Sequence, residues 1–333
     1  MTVPDHPPRN ASELRALLES ADLRLRKNLG QSFLVDRNLR DALVRDAGVG
    51  EGDLVLEIGV GLGVLTEGLL DSGARVIGVE LDEGMLAATS QLLAAHLPPV
   101  PGNGNGNGTT TFVPDAGHRL RLIRANALDR KVLAPDVVHA LDAAREAVAA
   151  PGRLLLVANL PYNIASTVLV AALEWRSAHS GRGIDGYSVL VQLEVAQRLV
   201  APPGTTDYGA LTVLVSSQAD SKLARRVPNS VFVPRPRVDS GFVTGITTHA
   251  ASPAPFGLSV AQYDHMRRVV HATFQYRRKK LARALEFGLQ RPIEEIRDAI
   301  AGIGLSIDIR GELLTPAQFA QLSVALPELP QQQ

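Results

Sequence analysis

The chain has no cysteine, and this absence narrows its chemistry. Disulfide bonds and thiolate catalysis are excluded across all 333 residues, which fits a cytoplasmic protein. The first residues, Met1–Pro8, lack the basic and apolar segments of a secretory signal. An apolar stretch over 154–175 contains Asn159 and Pro161, so it predicts a strand followed by a buried helix rather than a membrane span. We therefore expect a cytoplasmic protein that does not associate with membranes.

The chain also lacks net charge, since 34 Lys and Arg residues balance 34 Asp and Glu residues. This balance alone argues against a strongly basic RNA-binding protein, but the charges are unevenly distributed. Between Arg267 and Arg283 there are seven basic residues and no acidic one. Two smaller basic groups consist of Arg24, Arg26 and Lys27, and of Lys222, Arg225, Arg226, Arg235 and Arg237. Three groups of one sign indicate a surface that binds phosphate.

A glycine-rich segment follows the apolar run Leu54–Ile58, with glycines at 59, 61 and 63. Glycine there allows a tight turn and a close approach of the backbone to a ligand at a helix N-terminus. No P-loop lysine follows, which argues against a nucleoside triphosphatase. The next apolar run, Arg75–Val79, is followed by Glu80, whose carboxylate can accept hydrogen bonds from both hydroxyls of a ribose.

A third motif, Asn159-Leu160-Pro161-Tyr162-Asn163, follows the apolar run Leu154–Ala158. The Asn159 side-chain oxygen and the Leu160 carbonyl can accept both N–H groups of an aromatic amine, which leaves the nitrogen lone pair free. Tyr162 can stack on the same base. An ordinary turn would use similar residues. Together, however, the three motifs match S-adenosylmethionine-dependent methyltransferases that act on amino nitrogens.

Three further segments point to one family. Arg26–Leu34 contains Lys-x-x-Gly-Gln-x-Phe-Leu, Val231–Ser240 contains Phe-x-Pro-x-Pro-x-Val-x-Ser, and Phe274–Leu281 contains Phe-x-x-Arg-Arg-Lys. These segments resemble signatures of the KsgA/RsmA family of small-subunit rRNA adenine N6-dimethyltransferases, in which the last one is helical. The resemblance extends from about Leu25 to Leu322.

The resemblance implies an α/β fold, a class I (Rossmann-like) methyltransferase sheet with a small C-terminal all-α domain. It implies S-adenosylmethionine as cofactor, no metal, and transfer of methyl groups to the N6 amines of two adjacent adenosines near the 3′ end of 16S rRNA during ribosome biogenesis. The implied partner is the immature small ribosomal subunit, bound by a monomer.

The resemblance also assigns residues to roles. Cofactor contacts fall on Ser32, Leu34, Gly59, Gly61, Glu80, Leu81, Asn126 and Asn159. Contacts to the target base fall on Asn159, Leu160, Tyr162 and Phe232, with Phe232 as a second stacking face. Contacts to rRNA phosphates fall on Arg277, Arg278, Lys279, Lys280 and Arg283. Two positions depart from the family pattern, since Asn126 stands where Asp is usual and Ser32 where Asn or His is often found.

Alternating apolar and helical patterns over 53–248 predict a doubly wound sheet. The predicted strands are Leu54–Ile58, Arg75–Val79, Leu120–Arg124, Leu154–Ala158, Tyr187–Gln192, Ser216–Leu223 and Ser240–Ile246. The predicted domains are an N-terminal extension over 1–23, a methyltransferase domain over 24–250 with a flexible insertion at 98–117, and a helical rRNA-contacting domain over 251–333.

Two other functions remain open. A large-subunit rRNA adenine N6-methyltransferase of the macrolide-resistance type shares the N-terminal motifs, but Val231–Ser240 and Phe274–Leu281 favour the small-subunit enzyme. A non-catalytic ribosome-assembly factor would keep the fold, but the presence of Asn159 and Tyr162 argues against it.

Overall fold

The computed structural model describes residues 6–23, 32–97, 118–146, 152–176, 181–249, 252 and 254–326. The predicted insertion at 98–117 and the N-terminal motif before Ser32 lie outside these residues. The chain divides into two compact units. The first contains 1–196 and 222–246, and the second contains 197–221 and 247–333.

The predicted doubly wound sheet is confirmed. The strands are β1 (Phe33–Leu34), β2 (Leu54–Ile58), β3 (Arg75–Glu80), β4 (Leu120–Arg124), β5 (Leu128–Asp129), β6 (Val132–Leu133), β7 (Leu154–Asn159), β8 (Gly186–Gln192), β9 (Ala219–Val227), β10 (Phe232–Val233) and β11 (Ser240–Thr247). Seven of them form one sheet in the order β4-β3-β2-β7-β8-β11-β9, with β4, β3, β2, β7 and β8 parallel and β11 antiparallel to β8. Two short pairs, β1 with β10 and β5 with β6, lie outside it.

Helices cover this sheet and build the second unit. They are α1 (Ala11–Ser20), α2 (Arg37–Ala47), α3 (Val64–Asp71), α4 (Glu83–Leu92), α5 (Pro135–Glu146), α6 (Ala165–Glu174), α7 (Leu193–Leu199), α8 (Ala210–Ser216), α9 (Val260–Gln275), α10 (Leu281–Leu289), α11 (Ile293–Gly302) and α12 (Pro316–Ala325). None of the described helices is both long and apolar enough to cross a membrane.

The central strands form where the sequence has continuous apolar runs. Every residue of β2 is buried, and the same holds for β7 as far as Ala158. Burial on both faces is what parallel strands covered by helices require. Because their carboxyl ends meet at one edge of the sheet, Gly59, Glu80 and Asn159 come together there.

One predicted strand begins too early. Ser216–Leu223 was predicted as a strand, but Ser216 is the last residue of α8 and β9 begins at Ala219. The Ser216 hydroxyl donates to the Thr212 carbonyl one helical turn earlier, at 2.6 Å, which ties Ser216 to the helix. Helix α8 therefore takes the first residue of the predicted strand.

The second unit takes in residues 197–221, which the sequence analysis placed in the methyltransferase domain. Tyr208 explains this grouping, because its hydroxyl donates to the buried Leu314 carbonyl at 2.6 Å. Its ring also meets Phe274 edge-on, with centroids 6.0 Å apart, and Phe274 lies 6.0 Å from Phe319. These aromatic contacts join α9 and α12 to the segment before α8.

The helix that the resemblance implies for Phe274–Leu281 is interrupted. Helix α9 ends at Gln275 and α10 begins at Leu281. Lys280 is extended, with φ −59° and ψ 151°, because it forms an isolated β-bridge with Arg310. The Leu281 amide donates to the Ile309 carbonyl at 2.8 Å. Contacts with a segment distant in sequence therefore stabilise the non-helical turn between α9 and α10.

We predict that Tyr208→Phe lowers the free energy of unfolding of the second unit by about 1–3 kcal/mol, since the Leu314 carbonyl would lose a buried donor. Calorimetric thermal unfolding measures the change. Tyr276→Phe is the control, because the Tyr276 hydroxyl has no hydrogen-bond partner among the described residues and its removal should change little. Equal midpoints for the two variants would contradict the assignment.

Candidate active site

A pocket opens at the carboxyl edge of the first unit's sheet. Every residue predicted to contact the cofactor or the target base lines it, except Phe232. The lining residues from that set are Ser32, Leu34, Gly59, Gly61, Glu80, Leu81, Asn126, Asn159, Leu160 and Tyr162. The fold thus brings together residues that are separated by up to 130 positions in the chain.

The glycine loop needs the left-handed backbone. Gly59 has φ +79° and Gly61 has φ +57°, conformations that other residues adopt only with strain. A Cβ on Gly61 would also stand 2.8 Å from the Phe33 ring. Conformation and close packing both therefore require glycine at position 61.

Glu80 joins the end of β3 to this loop. Its Oε2 accepts a hydrogen bond from the Gly61 amide at 3.0 Å, and its Oε1 accepts from the Leu81 and Asp82 amides, both at 2.9 Å. Burial raises the pKa of Glu80, and the three backbone donors act in the opposite direction. A carboxylate has about four acceptor positions. Three are filled, so accepting two ribose hydroxyls requires that one of these backbone bonds be shared or released.

Sequence reasoning gave Glu57 no role, although an acid inside the apolar run of β2 was a visible signal. Its side chain lines the pocket and is 1% exposed. Its Oε2 is buried and has no hydrogen-bond partner among the described residues. Burial raises the pKa of Glu57 to about 8. Burial therefore favours the neutral form of this carboxyl group at the wall of the pocket.

The side-chain amide of Asn159 is oriented by a hydrogen bond from its nitrogen. Its Nδ2 donates to the Ser32 carbonyl at 2.9 Å. Its Oδ1 has no partner among the residues that the structure describes. The next residue, Leu160, is fixed by its amide, which donates to the Leu190 carbonyl of β8 at 3.2 Å. The loop therefore offers the Asn159 oxygen as an acceptor at a defined place.

Tyr162 is positioned by Ser240, a buried residue at the start of β11. The two hydroxyl oxygens are 2.9 Å apart. Burial raises the pKa of Tyr162, so the phenol stays neutral. Asp239, beside Ser240, accepts from the Asn229 amide at 2.9 Å and braces the same loop. The ring of Tyr162 thus lies at the pocket with its hydroxyl engaged behind it.

Phe232 does not line the pocket. Its ring is 1% exposed and packs in a core cluster with Leu34, Leu43 and Phe242. It pairs with Leu34 across the β1–β10 ladder. The ring is buried in that cluster, so a stacking contact with a base would require it to move, and the second stacking face stays a prediction. Its contact is with Leu34, which does line the pocket.

Asn126 follows β4 and reaches the pocket. Its Oδ1 accepts a long hydrogen bond from the Leu128 amide, at 3.3 Å. An amide oxygen has two lone pairs, so one remains for a ligand. The side chain can accept from an adenine amine without the charge that Asp would carry.

The five predicted phosphate contacts lie in the second unit around the turn between α9 and α10. Three are already paired: Arg277 donates to the Thr205 carbonyl at 3.1 Å, Lys280 to Asp308 at 2.7 Å, and Arg283 to Glu286 at 2.7 Å. Arg278 is exposed and has no partner among the described residues, and Lys279 lies over the ring of Phe287. Of these five cations, Arg277, Arg278 and Lys279 thus have no acidic partner among the described residues.

No group of three or more metal-binding side chains occurs within the described ranges. The chemistry of the pocket residues is that of hydrogen-bond acceptors, two buried carboxyl groups and an aromatic ring. Such a pocket suits a nucleoside ligand and a flat amine-bearing base.

Comparisons with known proteins agree with this geometry. The chain matches the family "Ribosomal RNA adenine dimethylase" over residues 22–323. It is 36% identical over 312 residues to "Ribosomal RNA small subunit methyltransferase A" of Anaeromyxobacter sp. (strain K), covering 94% of this chain and 97% of that protein. The protein of the same name from Ligilactobacillus salivarius (strain UCC118) is 32% identical over 324 residues, covering 96% of each.

Two solved structures share the fold. A dimethyladenosine transferase from Plasmodium falciparum aligns with a TM-score of 0.62 at 20% identity, covering 86% of this chain and 94% of that one. The 23S rRNA methyltransferase ErmE aligns with a TM-score of 0.55 at 22% identity, covering 88% and 99%.

We predict that Glu57→Gln removes a pH dependence of stability. The carboxyl has a pKa of 4.5 as its reference value and about 8 in the folded chain. Because folding raises this pKa, its contribution to stability is fully present below about pH 4.5 and is lost as the pH rises to about 8. Glutamine stays neutral at every pH. As the pH rises across that window, the free energy of unfolding of the variant should therefore increase relative to that of the wild type, by at most about 1.4 kcal/mol per pH unit.

Urea unfolding at several pH values, followed through the single tryptophan, Trp175, measures the difference within the first unit. Glu51→Gln is the control, because Glu51 is exposed and should show no such trend. Parallel stability curves for Glu57→Gln and the wild type would show that Glu57 is ionised in the folded protein.

Proposed function

This chain belongs to the ribosomal RNA adenine dimethylase family, and we propose that it methylates the N6 amines of two adjacent adenosines near the 3′ end of 16S rRNA. Family membership makes it an S-adenosylmethionine-dependent rRNA adenine dimethyltransferase. We propose further that it acts as a monomer in the cytoplasm on the immature small subunit. In this proposal the first unit carries out catalysis and the second binds rRNA.

The pocket residues fit S-adenosylmethionine. Glu57 lines the pocket, where a cationic group of the cofactor would favour the ionised form of its carboxyl group. Leu81, half exposed at the pocket, supplies an apolar surface for a purine. Glu80 lies at the end of β3, where a ribose would be held, and Asn126 lies where the purine amine would be met. Ser32, Leu34, Gly59 and Gly61 would complete the contacts. When bound, the cofactor supplies an electrophilic methyl group.

The proposal depends most on how Asn159 is held. Since its Nδ2 is engaged by the Ser32 carbonyl, its Oδ1 is the end available to the target base. Acceptance of both amine N–H groups, by Asn159 Oδ1 and the Leu160 carbonyl, favours a tetrahedral nitrogen whose lone pair is free to attack. The amine is acidic once it is methylated and charged, so water can take the proton. Alignment of the reacting atoms supplies the main part of the rate enhancement.

The target adenosine must leave its stack to reach this pocket. Tyr162 supplies one stacking face, and a base–aromatic contact contributes about 1–3 kcal/mol. The sequence also suggested Phe232 for the opposite face, but reaching the base would require its ring to leave the core cluster. We therefore propose that Tyr162 is the principal stacking residue and that Phe232 supports Leu34.

Two alternatives differ in substrate or activity. The curated relatives quoted above are named as small-subunit enzymes, whereas the likeness to the 23S rRNA methyltransferase, at 22% identity, extends to the fold alone. A non-catalytic assembly factor would have no need of an oriented Asn159 amide beside a complete pocket.

Labelled methyl transfer separates the three functions. The purified chain is incubated with labelled cofactor and with either small or large subunits from a strain that lacks the modification. We expect label in small-subunit rRNA alone, recovered as N6,N6-dimethyladenosine after digestion. Label confined to large-subunit RNA would support the macrolide-resistance type. Cofactor binding without any transfer would support the assembly factor.

We predict that Asn159→Ala lowers methyl transfer by about a hundredfold or more, comparable with the loss of one preorganised hydrogen bond to a transition state. Cofactor affinity, measured by calorimetry, should change little, because the side-chain oxygen binds the adenine that receives the methyl group. Asn38→Ala, an exposed asparagine of α2, is the control and should turn over like the wild type. Normal turnover by Asn159→Ala would rule out the amine contact.

A further inference from the structure

Two neighbouring aromatic rings, one exposed and one half-buried, lie on the second unit. Phe287 of α10 is 49% exposed, and Tyr276 at the end of α9 packs against it with ring centroids 5.7 Å apart and planes at 42°. The Lys279 ammonium is 5.0 Å from the Phe287 ring centroid. The described residues thus place an exposed aromatic ring, supported by a second one, at the point where the basic turn begins.

Hydrogen bonds and an ion pair hold the turn around these two rings in place. The Arg277 guanidinium donates to the Thr205 carbonyl at 3.1 Å, and the Arg310 guanidinium donates to the Arg277 carbonyl at 3.3 Å. Lys280 is paired with Asp308 at 2.7 Å. These contacts use the flanking cations to fix the backbone.

The nearby acid is neutralised as well. Glu286, the residue before Phe287, accepts from Arg283 at 2.7 Å. Arg278 is exposed and lacks a partner among the described residues, and Lys279 has only the ring of Phe287. The surface around the rings therefore offers two available cations and no uncompensated carboxylate from this element, which favours a polyanion over a neutral or basic partner.

We propose that Phe287 and Tyr276 form a stacking site for an unpaired base of the substrate rRNA, while Lys279 and Arg278 bind the adjoining phosphates. The inference rests on the proposed function and deepens it, because it names an RNA contact outside the pocket. A lysine ammonium on a flexible stem can leave the ring for a phosphate when a base takes its place. Aromatic faces combined with a basic groove are the features that bind single-stranded nucleic acid.

Stacking and phosphate binding respond differently to salt. Each phosphate contact adds to the slope of log affinity against log salt, whereas a stacking contact does not. Phe287→Leu should therefore weaken binding to unmodified small subunits by roughly 5- to 100-fold at every salt concentration, with an unchanged slope. Arg278→Ala should instead make the slope shallower by about one.

Matched variants separate this site from a folding defect. Phe256→Leu, which alters another exposed phenylalanine of the same unit, should bind subunits like the wild type. Phe287→Tyr keeps a flat ring and should restore most of the affinity that Phe287→Leu loses. Cofactor affinity should be the same in all variants, because the pocket lies in the first unit.

A fluorescent variant reports contact directly. In Phe287→Trp the new indole should be quenched by a single-stranded oligoribonucleotide, and the buried Trp175 gives a constant background measured in the wild type. An abasic oligomer of equal charge should quench much less. Equal quenching by both oligomers, or wild-type affinity of Phe287→Leu, would overturn the proposal.

Binding to rRNA freed of ribosomal proteins decides between partners. Phe287→Leu should bind the free rRNA more weakly than the wild type does. A defect seen with intact subunits and absent with free rRNA would mean that the rings contact a ribosomal protein, which overturns base stacking. If the wild type itself transfers no methyl group to small subunits, the proposed function fails, and that outcome is distinct from unaltered binding by Phe287→Leu in an active enzyme.

Discussion

The hydrogen bond from Asn159 Nδ2 to the Ser32 carbonyl decides which end of the amide faces the pocket. Without it, the side chain could present a donor as easily as an acceptor, and a donor would repel an amine N–H group. The contact uses a backbone carbonyl, so it does not depend on the identity of the Ser32 side chain. This explains how serine can stand where the family often has Asn or His. The Ser32 hydroxyl donates to a separate partner, the Pro234 carbonyl, at 3.0 Å, which joins the residue before β1 to the loop after β10.

The parts of the site that follow from local pattern were predictable from the sequence. Apolar runs ending in Gly59, Glu80 and Asn159 place these residues at the carboxyl ends of parallel strands, and such ends meet at one edge of a sheet. The sequence therefore predicted the sheet, and all of the predicted cofactor and base contacts except Phe232 line the pocket. Left-handed backbone at Gly59 and Gly61 is consistent with the same reasoning, because glycine adopts it without strain.

Features that depend on distant partners were not predictable. The helix expected over Phe274–Leu281 is interrupted because Lys280 forms a β-bridge with Arg310. The residues near Lys280 in the sequence do not indicate that this bridge forms. The motif around Phe232 predicts a stacking residue, whereas the structure shows its ring buried by side chains from other strands and helices. The raised pKa of Glu57 likewise arises from burial, which depends on the packed sheet rather than on neighbouring residues. In each instance tertiary packing overrides what the local pattern favours.

The orientation of the Asn159 amide is the central claim, and a crystal structure of the chain with S-adenosylhomocysteine and adenosine tests it most directly. The account predicts that Asn159 Oδ1 and the Leu160 carbonyl lie within hydrogen-bonding distance of the adenosine N6 atom while Nδ2 remains on the Ser32 carbonyl. Tyr162 should lie against one face of the base. An adenosine bound with its N6 atom away from Asn159, or an amide turned so that Nδ2 faces the base, would contradict the account.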